Sequence, residues 1–212
     1  MPRDATDTRI AVLGLGYVGL PLALALARNG FDVIGFDTST ATVTALCEGR
    51  DPNDEVSDDA VATSSATYTH AASDLAGCSV FIIAVPTPIT DAKAPDLNPI
   101  LNACAAIAPH LTDGALVILE STVYPGVTEE VCGPALAAGS GLETGRQIKL
   151  AYSPERGNPG DAEHSMENVV KIIAAQDAET LARVEAIYAP VVKAGLHRAS
   201  SIATAEATKI IE

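Results

Sequence analysis

Gly14, Gly16 and Gly19 stand in the spacing G-x-G-x-x-G, within Gly14-Leu15-Gly16-Tyr17-Val18-Gly19. The apolar run 9–13 before them reads as a buried strand, and the Ala/Leu-rich run 17–29 after them as a helix ended by Gly30. In that setting Gly14 permits a tight turn, Gly16 lets a pyrophosphate approach the backbone, and Gly19 lets the helix pack closely. The helix start supplies N–H donors and the positive end of a dipole for phosphates. Asp37 closes a second strand, 31–36, and follows Gly16 by 21 positions. A carboxylate there can accept from both ribose hydroxyls of an adenosine and repels a 2′-phosphate, which favours NAD over NADP. By spacing alone, a Gly-rich turn beside a surface Asp would look the same.

Three further segments close apolar runs. Pro86-Thr87-Pro88 follows the run 79–85 and makes a rigid loop whose backbone can meet a nicotinamide ribose; alone it is a turn. Ser121, Thr122 and Val123 follow the run 115–120, where hydroxyls can hold a water or a substrate oxygen, or simply cap the next helix. Tyr152-Ser153-Pro154-Glu155-Arg156 follows the run 148–151. Glu155 can act as a base or hold a water, and Arg156 can clamp a phosphate or carboxylate in a forked geometry. A plain surface loop is the competing reading. Lys209 lies on an apolar stretch with Ala205, Ala207 and Ile210, as an oxyanion-stabilising ammonium or a snorkelling side chain. His70, His110, His164 and His197 show no metal spacing, so no metal site is expected.

These residues need a scaffold. The remaining elements read as helix 40–48, an acidic loop 51–59 with five carboxylates as a solvated, partly mobile face, a short strand 67–69, and helices 98–110 and 129–138. Then come a strand 169–174, a helix 177–188, a short strand 195–199, and a helix from 201 with Ser201 as N-cap. Strand–helix alternation predicts an α/β fold: a Rossmann-type, doubly wound parallel sheet with the carboxyl ends of all strands on one edge, where the site belongs. The chain divides into a polar tail 1–8, a dinucleotide domain 9–200, and the start of a linker helix 201–212.

Composition agrees. Of 212 residues, 13 are Lys or Arg and 27 Asp or Glu, for a net charge of −14, which argues against a nucleic-acid polymer or an anionic membrane surface as partner. It does not oppose a dinucleotide held by backbone amides. Aromatics are only 4% and Trp is absent, so the apolar fraction is aliphatic and suits helices on a buried sheet. No signal-peptide pattern and no apolar stretch of spanning length is seen, so a cytoplasmic protein is expected. Cys47, Cys78, Cys104 and Cys132 are widely spaced and read as reduced core thiols.

The strings GLGYVGLPLA, VPTPI with PDLNPI, ESTVYPG, YSPERGNPGD and AEATKIIE occur in that order over 9–212. Together they resemble the N-terminal, NAD-binding domain of the nucleotide-sugar 6-dehydrogenases, the UDP-glucose/GDP-mannose dehydrogenase family. The last two look most like the branch acting on UDP-N-acetylhexosamines. The resemblance implies oxidation of a UDP-sugar C6 alcohol to a carboxylate with two NAD⁺, in polysaccharide biosynthesis, by a homodimer. In the family a cysteine traps the aldehyde as a thiohemiacetal, and a second hydride transfer gives a thioester that water opens. The resemblance assigns Gly14, Gly16, Tyr17, Val18 and Gly19 to the pyrophosphate, Asp37 to the adenosine ribose, and Val85, Pro86 and Thr87 to the middle and nicotinamide end. It assigns Ser121, Thr122 and Val123 to the nicotinamide, with Thr122 holding a catalytic water. Glu155 would aid proton transfer or hydrolysis, Arg156 would touch the sugar nucleotide, and Lys209 would stabilise an alkoxide.

Departures accompany the likeness. The family's nucleophile sits in a Gly-rich segment with a following Pro, Lys and Asp, and the four cysteines here lie in other contexts. That segment, and an Asn one turn beyond the helix lysine, would fall past residue 212. Thr42 stands where a basic residue usually follows the ribose Asp, and Gly157 replaces an aliphatic residue. The chain is therefore expected to bind NAD but not to complete thioester chemistry alone. Two other readings are a non-catalytic module that docks through Ile202, Ile210 and Ile211, and a 3-hydroxyacid-dehydrogenase-like domain. VPTPI, STVYPG and SPER argue against the latter.

Overall fold

The computed structural model describes residues 8–90, 92–155 and 168–211. The element order is β1 (Arg9–Leu13), α1 (Gly19–Arg28), β2 (Asp32–Phe36), α2 (Thr40–Cys47), α3 (Asp58–Ala62), β3 (Thr67–Thr69), β4 (Val80–Ile83) and α4 (Asn98–Ile107). It continues with β5 (Ala115–Leu119), a π turn (Val127–Cys132) running into α5 (Gly133–Ser140), β6 (Ile148–Tyr152), β7 (Lys171–Ala175), α6 (Ala178–Tyr188), β8 (Leu196–Arg198) and α7 (Ile202–Ile211). One sheet has the order β3-β2-β1-β4-β5-β6-β7-β8.

The central strands are buried end to end, which is why they read as continuous apolar runs rather than alternating ones. Their side chains still alternate between two cores. Ala11 and Leu13 face a core shared with Ile100 and Ile107 of α4 and Leu136 of α5. Ile10 and Val12 face the other, with Leu22 and Leu26 of α1 and Val184 and Tyr188 of α6. Helices thus cover both faces, and β1 to β6 pair in parallel.

The all-parallel expectation fails at one edge. β7 pairs antiparallel with β6, and β8 pairs parallel with β7, so these two strands point the opposite way. A parallel neighbour needs a crossover over a sheet face, whereas an antiparallel one needs only a reversal, and the apolar content of a strand does not encode its direction.

Smaller corrections have local causes. The segment 51–59 is not a wholly solvated loop. Asp51 is 7% exposed, and its carboxylate accepts from the N–H groups of Asn53, Glu55 and Val56 at 2.9, 2.7 and 2.9 Å. A short acidic side chain can organise nearby backbone donors in this way. Ser57 then caps α3, with Asp58 and Asp59 complementing the dipole of its first turn. Cys47 ends α2 on the surface, whereas the other three cysteines are buried. Ser201 caps α7 as expected, accepting from Thr204 N at 3.1 Å. Among the described residues no helix is long and apolar enough to cross a membrane.

Candidate functional site

A cavity of about 650 Å³ opens at the carboxyl ends of β1, β2, β4, β5 and β6. Gly14 and Gly16 line its first wall and Gly19 stands behind them, each for a different steric reason. Gly14 has φ +89°, and a Cβ there would lie 2.9 Å from the Ala84 carbonyl oxygen. A Cβ on Gly19 would lie 1.8 Å from the Gly14 carbonyl oxygen, so α1 can start here only without a side chain. A Cβ on Gly16 would meet nothing within 4 Å, and Gly16 lines the cavity. Two glycines therefore close the turn and the third leaves space for a ligand. This is the cradle a dinucleotide pyrophosphate requires. Tyr17 and Val18 line the same wall; Tyr17 is largely exposed, and α1 begins after Val18 rather than at Tyr17.

Asp37 sits at the end of β2 and also lines the cavity. Its Oδ2 accepts from Leu15 N and its Oδ1 from Ser39 N, each at 2.8 Å. A carboxylate has about four lone-pair sites, so both oxygens retain acceptor capacity for ribose hydroxyls. Asn53 braces the turn from outside, its Nδ2 donating to Leu15 O at 3.2 Å. Sequence reasoning missed this residue inside a supposed solvated loop.

Val85, Pro86 and Thr87 form the next wall, opposite Ser121 and Thr122. The two loops are stitched together. Ser121 Oγ donates to Val85 O at 2.6 Å, and Thr87 Oγ1 donates to Thr122 O at 2.8 Å. The Ser121 hydroxyl thus holds the loop. Thr122 is exposed to the cavity. Val123 is 3% exposed, packs in the core and does not line the cavity.

Glu155 lines the cavity at the end of β6, and Arg156 lies outside the described residues. Lys209 lines it from α7. One turn earlier Glu206 is fully buried and accepts from Gly126 N at 2.6 Å, Thr128 N at 2.9 Å and Thr128 Oγ1 at 2.7 Å. It caps the π turn after the Ser121–Thr122 loop and ties α7, with Lys209, to that loop.

Behind Glu155 is an ionic cluster that sequence reasoning also missed. Lys171 Nζ lies 3.3 Å from Glu120 Oε2 and 3.4 Å from Glu155 Oε2, and Tyr188 OH donates to Glu120 Oε1. Burial pulls the Lys171 ammonium down, but Glu120 and Glu155 outweigh it and hold it above the usual lysine range. Burial pushes Glu120 up, opposed by Lys171. Burial and the Glu120 charge push the Tyr188 phenol well above its usual value, so it remains a donor. The lysine opening an apolar strand at 171 was the available signal. None of the four cysteines lines the cavity, and no group of three or more potential metal ligands occurs among the described residues.

A family model described as the UDP-glucose/GDP-mannose dehydrogenase family, NAD binding domain, matches residues 8–192. The chain belongs to this family. Its cofactor is NAD, and the cavity's glycines and Asp37 fit that dinucleotide. The UDP-N-acetyl-D-glucosamine 6-dehydrogenase of Pseudomonas aeruginosa is 44% identical over 207 residues, covering 97% of this chain and 49% of the relative. Protein CapL of Staphylococcus aureus is 45% identical over 206 residues, covering 97% and 48%. Among solved structures, the UDP-D-ManNAc dehydrogenase of Pyrococcus horikoshii superposes with a TM-score of 0.87 at 34% identity, over 96% of this chain and 49% of that one. The chain spans about half the length of the curated relatives it matches and corresponds to the NAD-binding half of this oxidoreductase family. The 3-hydroxyacid-dehydrogenase reading is not favoured.

Proposed function

We propose that this chain is the cofactor-binding half of an enzyme that oxidises the C6 alcohol of a UDP-N-acetylhexosamine to the carboxylate with two NAD⁺. The observation that carries this reading is convergence. The glycine turn, Asp37, the Thr87–Thr122 pair, Glu155 and Lys209 come from six parts of the chain and line one cavity. The relatives named above supply the substrate class.

In this reading Gly14, Gly16 and Gly19, with Tyr17 and Val18, present backbone N–H groups to the pyrophosphate, and Asp37 accepts from the adenosine ribose. Val85, Pro86 and Thr87 shape the middle of the site. Ser121 holds its loop, Val123 anchors that loop from the core, and Thr122 offers a hydroxyl for a water. NAD⁺ supplies a hydride acceptor when bound. Glu155 is the proton-handling carboxylate and Lys209 the cation for a developing alkoxide. Arg156 is proposed to contact the sugar nucleotide. The domain limits 9–200 and a linker helix from 201 belong to the same proposal. So does a homodimeric, cytoplasmic whole protein.

Thioester chemistry needs a thiol at the substrate carbon, and none of the four cysteines lines this cavity. The 212-residue chain is therefore expected to bind NAD⁺ without forming the two NADH per sugar that oxidation of UDP-N-acetylglucosamine or UDP-N-acetylmannosamine to the carboxylate requires. Absorbance assays after calorimetric titration test this. Two NADH formed per sugar, or no NAD⁺ binding, contradicts the proposal.

A further inference from the structure

The reversal of β7 has a chemical effect at the cavity. Tyr152 pairs with Ala174, and Ala151 with Ala175. Continued past the end of β6, that antiparallel register brings Lys171 level with Glu155. A parallel β7 would bring its last residue to this edge; the reversed strand brings its first. That residue is Lys171, whose side chain is 3% exposed.

The cluster grades from open to closed. Side-chain exposure falls from 16% at Glu155 to 3% at Lys171 and zero at Glu120. The ammonium also lies 5.1 Å from the centre of the buried Tyr188 ring. A carboxylate on a loop at a strand end has several rotamers, and a fixed charged donor within reach selects among them. A buried ammonium is itself costly unless paired, and Glu120 is its fully buried partner.

We propose that Lys171 is a positioning residue that fixes the Glu155 carboxylate at the cavity wall, with Glu120 as its buried counter-ion and Tyr188 locking Glu120 in place. This rests on the role given above to Glu155 and assigns the antiparallel strand a purpose within it.

The test uses the 212-residue chain with ¹³C-labelled glutamate methylenes, the Glu155 signal assigned with Glu155→Gln. The side-chain order parameter of Glu155 is compared with that of the exposed Glu179 in the same sample. In the parent chain Glu155 is expected to be clearly more ordered. In Lys171→Met it should fall clearly toward the Glu179 level, and Lys171→Arg should retain most of the order. Lys171→Met combined with Glu120→Gln removes both buried charges, so the comparison survives if the single variant fails to fold. A folded variant of either kind in which Glu155 stays as ordered as in the parent overturns the proposal. An NAD⁺ titration on the same samples separates the two readings. Absence of binding by the parent chain sinks the cofactor assignment while leaving the ordering result to stand or fall by itself.

Discussion

The Glu206 carboxylate accepts a hydrogen bond from Gly126 N at 2.6 Å across 80 residues of sequence. With its two bonds from Thr128 it joins α7 to the loop that carries Ser121 and Thr122. Leaving a buried donor unpaired costs about 1–3 kcal/mol. Glu206→Ala orphans two backbone N–H groups at once, so a loss of about 3 kcal/mol or more is expected, read as a lower urea midpoint. Glu206→Gln keeps an acceptor oxygen and should lose less.

Two glycine substitutions separate folding from binding. Gly19→Ala drives a Cβ into the Gly14 carbonyl, and overpacking of this kind costs about 1–3 kcal/mol. Gly16→Ala meets no protein atom, so its thermal midpoint should stay near that of the parent. Its methyl group occupies space proposed for the pyrophosphate, and NAD⁺ affinity should fall at least about tenfold, about 1.4 kcal/mol. Paired calorimetry and thermal melts read both effects.

Asp177 provides a pH prediction. It caps α6, and the hydrogen bond from Thr180 N at 2.7 Å, aided by Gln176 and Lys149, holds its carboxyl well below the usual range. A depressed folded-state value means the stabilisation is present above the ordinary carboxylate range and is lost as pH falls through it toward the folded value. Asp177→Ala should lose about 1 kcal/mol near neutrality. The gap between variant and parent should narrow below about pH 4 in urea titrations.

Much of the sheet was legible because buried parallel strands read as unbroken apolar runs. The run 9–13, the glycines after it and Asp37 stand in the structure where periodicity and spacing put them. Lys209 was legible as a lysine on an apolar helix. Glu206, three positions before it, was not, because its donors lie far away in sequence and no local pattern names them. The direction of β7 was illegible for a related reason: Lys171–Ala175 would be just as apolar running either way. Missing the direction meant missing the meeting of Lys171 with Glu155 and Glu120. Asp51 failed differently. Acidic density suggests solvent, but one carboxylate can satisfy several backbone donors and turn inward. Val123 was assigned to the cavity by resemblance, and its apolar side chain lies in the core.

The glycine turn and Asp37 are proposed to make a site for NAD rather than NADP. Calorimetric titration of the 212-residue chain with each dinucleotide, in the parent and in Asp37→Asn, tests it most directly. Saturable one-to-one NAD⁺ binding is expected, with NADP⁺ weaker by at least about tenfold and the preference reduced in Asp37→Asn. No saturable NAD⁺ binding, or equal affinity for both dinucleotides in the parent chain, would contradict it.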